Sequence, residues 1–255
     1  MSYPVRKEYV WDTHIASFDV GWGAWLRPSN QLKLQQEVGE LHFAEGGVGY
    51  YVLCEHNLAF VLTRTNSVIH TYPRFGDRVQ ICTWHRGNRG VQFFRGYEFT
   101  DAQGRVLVES VSAFALVDLH THRLLRPSAL DVFDLHIENP RPSGCPDPAR
   151  LRELPPLSRV GERVVRWSDI DWNGHLNNTV YADIACDFLP GGMIGRHLCG
   201  FSIDFLKEAK LGDTLAISAG ERPGPNGVRE VFVEGEHARG VCFTVRLLVQ
   251  DGEYN

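Results

Sequence analysis

The chain has 255 residues, 43% hydrophobic and 22% charged, with a formal net charge of -5 and a pI near 6.1. That length holds one large domain or two ordinary ones, and an acidic balance with no basic block excludes a nucleic-acid-binding protein. No window approaches the roughly 20 apolar residues of a membrane-spanning helix, and the opening "MSYPVRKEYVWD" has neither an apolar signal-peptide core nor an Arg/Ser-rich transit character, so a cytoplasmic protein is expected.

Taken in chain order, "LKLQQEVGELHFAEGG" sets Leu34, Val38 and Leu41 on one helical face and stops at Gly46-Gly47. Strand-like runs follow: "AFVLTRTNSVIHTY", "RVQICTWHR", "GVQFFRGYEFT" and, after the turn "DAQG", "RVLVESVSAFALVD". A proline-rich stretch, 137–158, has no apolar period and reads as a linker. Beyond it the order repeats. Val180, Tyr181, Ile184 and Phe188 have helical spacing up to Pro190-Gly191-Gly192, and four more strands end in "GVCFTVRLLVQ", with "PNG" as a hairpin signal. The chain therefore divides into 1–136, the linker 137–158, and 159–255. Each half is predicted as a long helix plus about four antiparallel strands, an α+β arrangement in which a sheet buries a helix on one face.

The repeat reaches individual residues. Asp19-Val20-Gly21-Trp22-Gly23-Ala24-Trp25-Leu26 aligns with Asp169-Ile170-Asp171-Trp172-Asn173-Gly174-His175-Leu176, and "YPRFGDRVQI" from Tyr72 aligns with "EAKLGDTLAI" from Glu208. Matched positions such as Asp19/Asp169 are expected to serve shared backbone geometry. The mismatches point to chemistry: Asp171, Asn173, His175 and Glu208 face Gly21, Gly23, Trp25 and Tyr72.

Three readings compete for this polar cluster. "DIDWNG" opens like a calcium-binding EF-hand loop, but counting from Asp169 the position that needs a bidentate glutamate is Val180. Helix capping accounts for one of Asn177 and Asn178. It leaves Asp171, Asn173 and His175, which would share one side of an extended segment. Ahead of a helix N-terminus, with Gly174 permitting close approach, they would surround an anion-stabilising site to which Gly174, Asn177 and Asn178 contribute, with Glu208 as a second carboxylate.

"SDIDWNGHLNNTVYADIACDFLP" resembles the signature of the acyl-ACP thioesterases, and "LQQEVGELHFAEGGVGYYVL", "YPRFGDRVQICTWHRG", "SAFALVDLHTHRLLRPS" and "FLKEAKLGD" extend the likeness over nearly the whole chain. The resemblance implies two tandem hot-dog domains, each a long helix wrapped by an antiparallel sheet. It also implies hydrolysis of fatty acyl thioesters on acyl carrier protein. Asp171, Asn173, His175 and Glu208 fall on the family's catalytic Asp, Asn, His and Glu, and the first domain on its acyl-chain pocket, where Trp22 and Trp25 are candidate lining residues. Plant members carry a cysteine straight after the glutamate; here Ala209 stands there, so a thiol nucleophile at that site is excluded and the mechanism must run through carboxylates and water.

No cofactor and no metal are expected. His120-x-His122 reads as turn, and the six scattered cysteines read as buried thiols. An acyl-CoA thioesterase of the same fold, and a non-catalytic acyl-binding protein, are the alternatives. Arg86, Arg89, Arg123 and Arg126 are candidate contacts for an acidic carrier, and the tandem repeat is compatible with a monomer or a homodimer.

Overall fold

The computed structural model describes residues 6–135, 138–252 and 254. His136 and the sequence-derived boundary at 136/137 lie outside them. The first half runs β1 (Glu8–His14), α1 (Pro28–Glu45), α2 (Tyr50–Glu55), β2 (Leu58–Ile69), β3 (Arg78–Arg89), β4 (Gln92–Asp101) and β5 (Val106–Asp118). The second runs β6 (Ser158–Val164), α3 (Val180–Asp187), β7 (Arg196–Phe205), β8 (Thr214–Pro223), β9 (Arg229–His237) and β10 (Gly240–Asp251). Local chemistry sets the punctuation. Pro28 opens α1, where its missing N–H costs nothing. The Asp101 carboxylate accepts the N–H groups of Gln103 and Arg105 to close the β4–β5 turn. Asn226 and Gly227, both at positive φ, turn β8 into β9.

All ten strands form one antiparallel sheet in the order β1-β3-β4-β5-β2-β7-β10-β9-β8-β6. The order inside each half is the same when read outward from the seam between β2 and β7. There Arg64–Val68 pairs with Asp204–Gly200. A Cβ on Gly200 would stand 2.5 Å from the Ser67 carbonyl oxygen, so only glycine lets the halves approach this closely. One continuous core includes Leu32 and Val38 of α1, Tyr181 and Ile184 of α3, and Phe201, Ile203, Val233, Val245 and Leu247 of the sheet.

Two sequence expectations need correction. The second helix is short, eight residues, because Asn177 to Thr179 form a turn before it and Gly191 and Gly192, both left-handed, follow soon after it. Each half has five strands rather than four. The extra edge strands, β1 and β6, carry mixed, partly exposed residues that give a weak strand signal.

The proline-rich linker is a strap across the sheet's outer face. The Arg141 carbonyl accepts from Trp84 Nε1 on β3, and Gly144 N–H donates to Glu109 on β5. Asn66 on β2 donates to the Pro146 carbonyl, Leu151 N–H donates to Asp204 on β7, and Arg222 on β8 donates to the Glu153 carbonyl. Asp204, buried under this strap, has its pKa raised by desolvation.

Candidate active site

The polar segment folds as a tight hairpin rather than an extended run. Ile170 bridges Leu176, Asp171 N–H donates to the His175 carbonyl at 2.9 Å, and Gly174 N–H donates to the Asp171 carbonyl at 3.1 Å with Gly174 at φ +80. Strand alternation therefore does not align Asp171, Asn173 and His175; the turn gathers them instead. Asp171 Oδ1 accepts the N–H groups of Asn173 (2.9 Å) and His175 (3.2 Å), so this carboxylate organises the loop that carries the other two. Before the loop, Asp169 receives Arg166 N–H at 2.7 Å and both contacts of Arg163 Nη2 at 2.8 and 2.9 Å. Asp19 does the same for the first-half hairpin, accepting Ala16 N–H and Asn30 Nδ2 at 2.9 Å each.

Glu208 arrives from the segment after β7. Leu176 N–H donates to the Ala209 carbonyl at 2.8 Å and His175 bridges Lys210, which lays the two segments side by side. Glu208 Oε2 then stands 3.1 Å from His175 Nε2, with 65% of its side chain exposed and 32% of the histidine's. The Glu208 carbonyl accepts His237 Nε2 at 3.0 Å and Arg239 Nη2 at 3.4 Å, and Asp213 holds Arg239 in turn. Asn173 is fixed from the other half: Tyr50 on α2 donates its hydroxyl to Asn173 Oδ1 at 3.1 Å, its ring 5.1 Å from that of Trp172. With Oδ1 occupied by a donor, the Asn173 NH2 is the group left to face a substrate oxygen. The Tyr50 hydroxyl has its pKa raised, by burial first and less by neighbours that include Cys54 and the Asp171 carboxylate.

Two family models match the sequence of this chain. The acyl-ACP thioesterase N-terminal domain model covers residues 7–129 and the C-terminal domain model covers residues 158–241. The chain belongs to the acyl-ACP thioesterase family. It is 25% identical to oleoyl-acyl carrier protein thioesterase 1 of Arabidopsis thaliana, over 94% of this chain and 72% of that one. It is 23% identical to an acyl-[acyl-carrier-protein] hydrolase of Cuphea viscosissima, over 71% of this chain but only 45% of that relative's length. The chain thus spans less than half of some curated relatives it matches. In fold it is similar to the 12:0-ACP thioesterase of Umbellularia californica, with a TM-score of 0.84, 18% identity and coverage of 96% and 94% of the two chains. An acyl-ACP thioesterase from Bacteroides thetaiotaomicron gives 0.81 at 20% identity, covering 96% and 98%. The architecture is the tandem hot-dog.

Against the anion-stabilising site read from the sequence, two backbone assignments change. The N–H groups of Gly174 and Asn177 are engaged by the carbonyls of Asp171 and Asp169, so neither is available to an oxyanion. Among the described residues, Asn178 alone of the three has an N–H with no hydrogen-bond partner. Asn177 instead shapes the turn ahead of α3, its Oδ1 accepting Thr179 N–H at 2.9 Å and Oγ1 at 2.8 Å; the N-cap position is Thr179, so neither asparagine is the cap read from sequence. Trp22 is 80% exposed, and Trp25, the positional counterpart of His175, packs edge-on to Tyr254 at 4.9 Å under the Arg74 guanidinium. Neither tryptophan is drawn to the Glu208–His175 pair. Arg86 and Arg89 pair with Asp147 of the strap, whereas Arg239 reaches the Glu208 carbonyl and Lys207 Nζ donates to the Arg239 carbonyl. Ala209 is fully buried, and burial pushes the nearby Cys242 thiol up to about 11, away from thiolate chemistry.

Sequence reasoning did not find Tyr50, His237 or Arg239. Tyr50 acts across a separation of 123 residues, and His237 and Arg239 act through a backbone carbonyl, so no local spacing marks any of them.

Proposed function

We propose that this protein hydrolyses fatty acyl thioesters carried on acyl carrier protein, releasing the free fatty acid and the carrier thiol in a cytoplasmic setting. The units are 1–136 and 159–255, joined by 137–158, with the chemistry in the second. The observation that carries this reading is the Glu208–His175 contact of 3.1 Å beside the Tyr50-clamped Asn173 amide. Asp171 spends Oδ1 on the loop's own N–H groups, whereas Glu208 is exposed and bonded only through one oxygen to His175, which favours Glu208 as the group that activates water. Glu208 takes a proton from water, and the hydroxide adds to the thioester carbonyl carbon. The Asn173 NH2 and the Asn178 N–H donate to the resulting oxyanion. The C–S bond then breaks, and the proton taken by Glu208 passes through His175 to the departing sulfur. Lys207, Lys210 and Arg239 supply the positive rim for an acidic carrier.

The test is thiol release from acyl-ACP and acyl-CoA panels of varied chain length, with Glu208→Gln alongside. Release from the ACP panel, abolished by the substitution, is the expected result. Release from the CoA panel alone would replace the carrier; release that survives Glu208→Gln would sink the assignment.

A further inference from the structure

In the first half, the sheet face that meets α1 is polar where a core is expected. Ser67 bonds Ser110 at 2.8 Å and Thr65 bonds Ser112 at 3.0 Å across β2 and β5. Next to them on β4 lies Arg95, only 5% exposed. Its Nη1 donates to Thr83 Oγ1 at 3.2 Å and to His42 Nδ1 at 3.0 Å. That histidine gives its other ring nitrogen to the Arg6 carbonyl at 2.6 Å, and burial, then Arg95, pushes its pKa down to about 4, so it is neutral and no counter-ion. Among the described residues no carboxylate lies within ion-pair distance of Arg95; the Glu40 carboxylate acts on it at longer range, and the Arg95 Cζ stands 4.8 Å over the Phe43 ring. Its Nη2 has no hydrogen-bond partner, nor has either amide atom of Gln35, which is 2% exposed and lies on the same face of α1 as Gln31 and His42.

Buried polar groups are almost always paired, and an unpaired buried cation is the costliest exception. A guanidinium edge and a free amide in one buried band are the donor set for a carboxylate. The band also connects to the reaction centre. Tyr50, which clamps Asn173, donates its own N–H to Glu40 of α1 at 2.7 Å. The adjacent Gly39 lies against the other side, where a Cβ would stand 3.6 Å from the Tyr97 hydroxyl and 3.7 Å from Arg95 Cδ.

We propose that Arg95 and Gln35 bind a carboxylate at the far end of the acyl group, so that the substrate class is the monothioester of a dicarboxylic acid. The inference rests on the thioesterase reading for its reaction but not for its binding site.

The experiment uses the full chain as wild type, Arg95→Met and Gln35→Leu. Calorimetric titration compares straight-chain α,ω-dicarboxylic acids with the matched monocarboxylic acids. Hydrolysis compares ω-carboxyacyl-ACP with plain acyl-ACP. The wild type should bind the diacids in preference and favour the carboxyl-ended thioester. Arg95→Met should lower the ratio of kcat/KM values for the two substrates on the order of a hundredfold, and Gln35→Leu about tenfold. Arg95→Met should also raise the melting temperature of the ligand-free protein, since it removes a buried charge with no counter-ion within ion-pair distance; a purely structural arginine would lower it. If the wild type shows no preference for diacids and neither ratio moves, the band holds only water and the proposal is overturned. If diacids bind in an Arg95-dependent manner while no thioester is cleaved, the site stands and the hydrolase reading falls.

Discussion

The two halves share a frame and differ in where they keep their polar groups. Carrying the Tyr72/Glu208 alignment back along the strands puts Thr65 on Phe201, Ser67 on Ile203 and Thr83 on Ala219. Their sheet partners then extend the contrast: Ser110 against Val245, Tyr97 against Val233, Arg95 against Val231. The second half has an apolar interior and a hairpin that gathers polar side chains on its rim; the first has a bare hairpin and a polar band inside. What both retain is Asp19 or Asp169, because the hairpin must be held whichever groups it displays. Duplication thus preserved scaffold chemistry in both copies and divided the remaining polar groups between them.

The sharpest way to break this comparison is at the rim. Glu208→Gln and His175→Ala should each lower kcat by roughly 10²- to 10⁴-fold, while thermal melts stay near wild type because both side chains are at least partly exposed. Near-full activity in both Glu208→Gln and Asp171→Asn would end the carboxylate mechanism. Asn173→Ala should cost on the order of 10²-fold in kcat through the lost oxyanion donor. Tyr50→Phe frees the amide without removing it, and steady-state kinetics should show a milder loss of about tenfold.

Next in size is the acid response of the polar interior. His42 and His85 have folded pKa values lowered to about 4 and about 3, both chiefly by burial. Between the ordinary histidine value near 6.5 and these values the unfolded chain binds more protons, so stability falls as pH drops through that window. For His42 alone the loss approaches roughly 3 kcal/mol by pH 4. Urea titrations across pH 4–7 should show a steep slope that His42→Gln reduces; an unchanged slope would mean the histidine is not buried neutral. Smallest are the scaffold aspartates. Asp19→Ala and Asp169→Ala should each cost about 1–3 kcal/mol in stability, yet only Asp169→Ala should also depress turnover. Equal kinetic damage from both would erase the functional distinction between the halves.

Much of this was legible in the sequence, for physical reasons. Strands with strong apolar runs, the "DAQG" and "PNG" turns and the duplicated hairpin all encode local geometry, and the mismatches at Asp171, Asn173, His175 and Glu208 marked the residues that the fold brings together. Alternation failed as a guide to their arrangement because the left-handed Gly174 makes a turn where an extended strand was read. The helix-face reading fell short differently. Leu34 and Leu41 are only half-buried, and Gln31, Gln35 and His42 take the interior positions. A hydrophobic-periodicity rule discards polar residues in that role, so the interior band of the first half left no apolar pattern to find. Tyr50 stayed hidden because its contact with Asn173 exists only after the halves join.

The strap has a consequence for the order in which the chain is assembled. During synthesis residues 138–157 emerge after β1 to β5 but before any strand of the second half, so only the part of their track over β3, β5 and β2 exists when they appear. The later contacts, Leu151 on Asp204 and Glu153 with Arg222, must wait for β7 and β8. The unpaired edge of β2 waits with them, since its partner is β7. A nascent first half therefore carries an open strand edge and a half-laid strap at the same moment, and a ribosomal pause once Ser158 has cleared the exit tunnel would lengthen the interval in which that edge is free to capture a neighbouring chain.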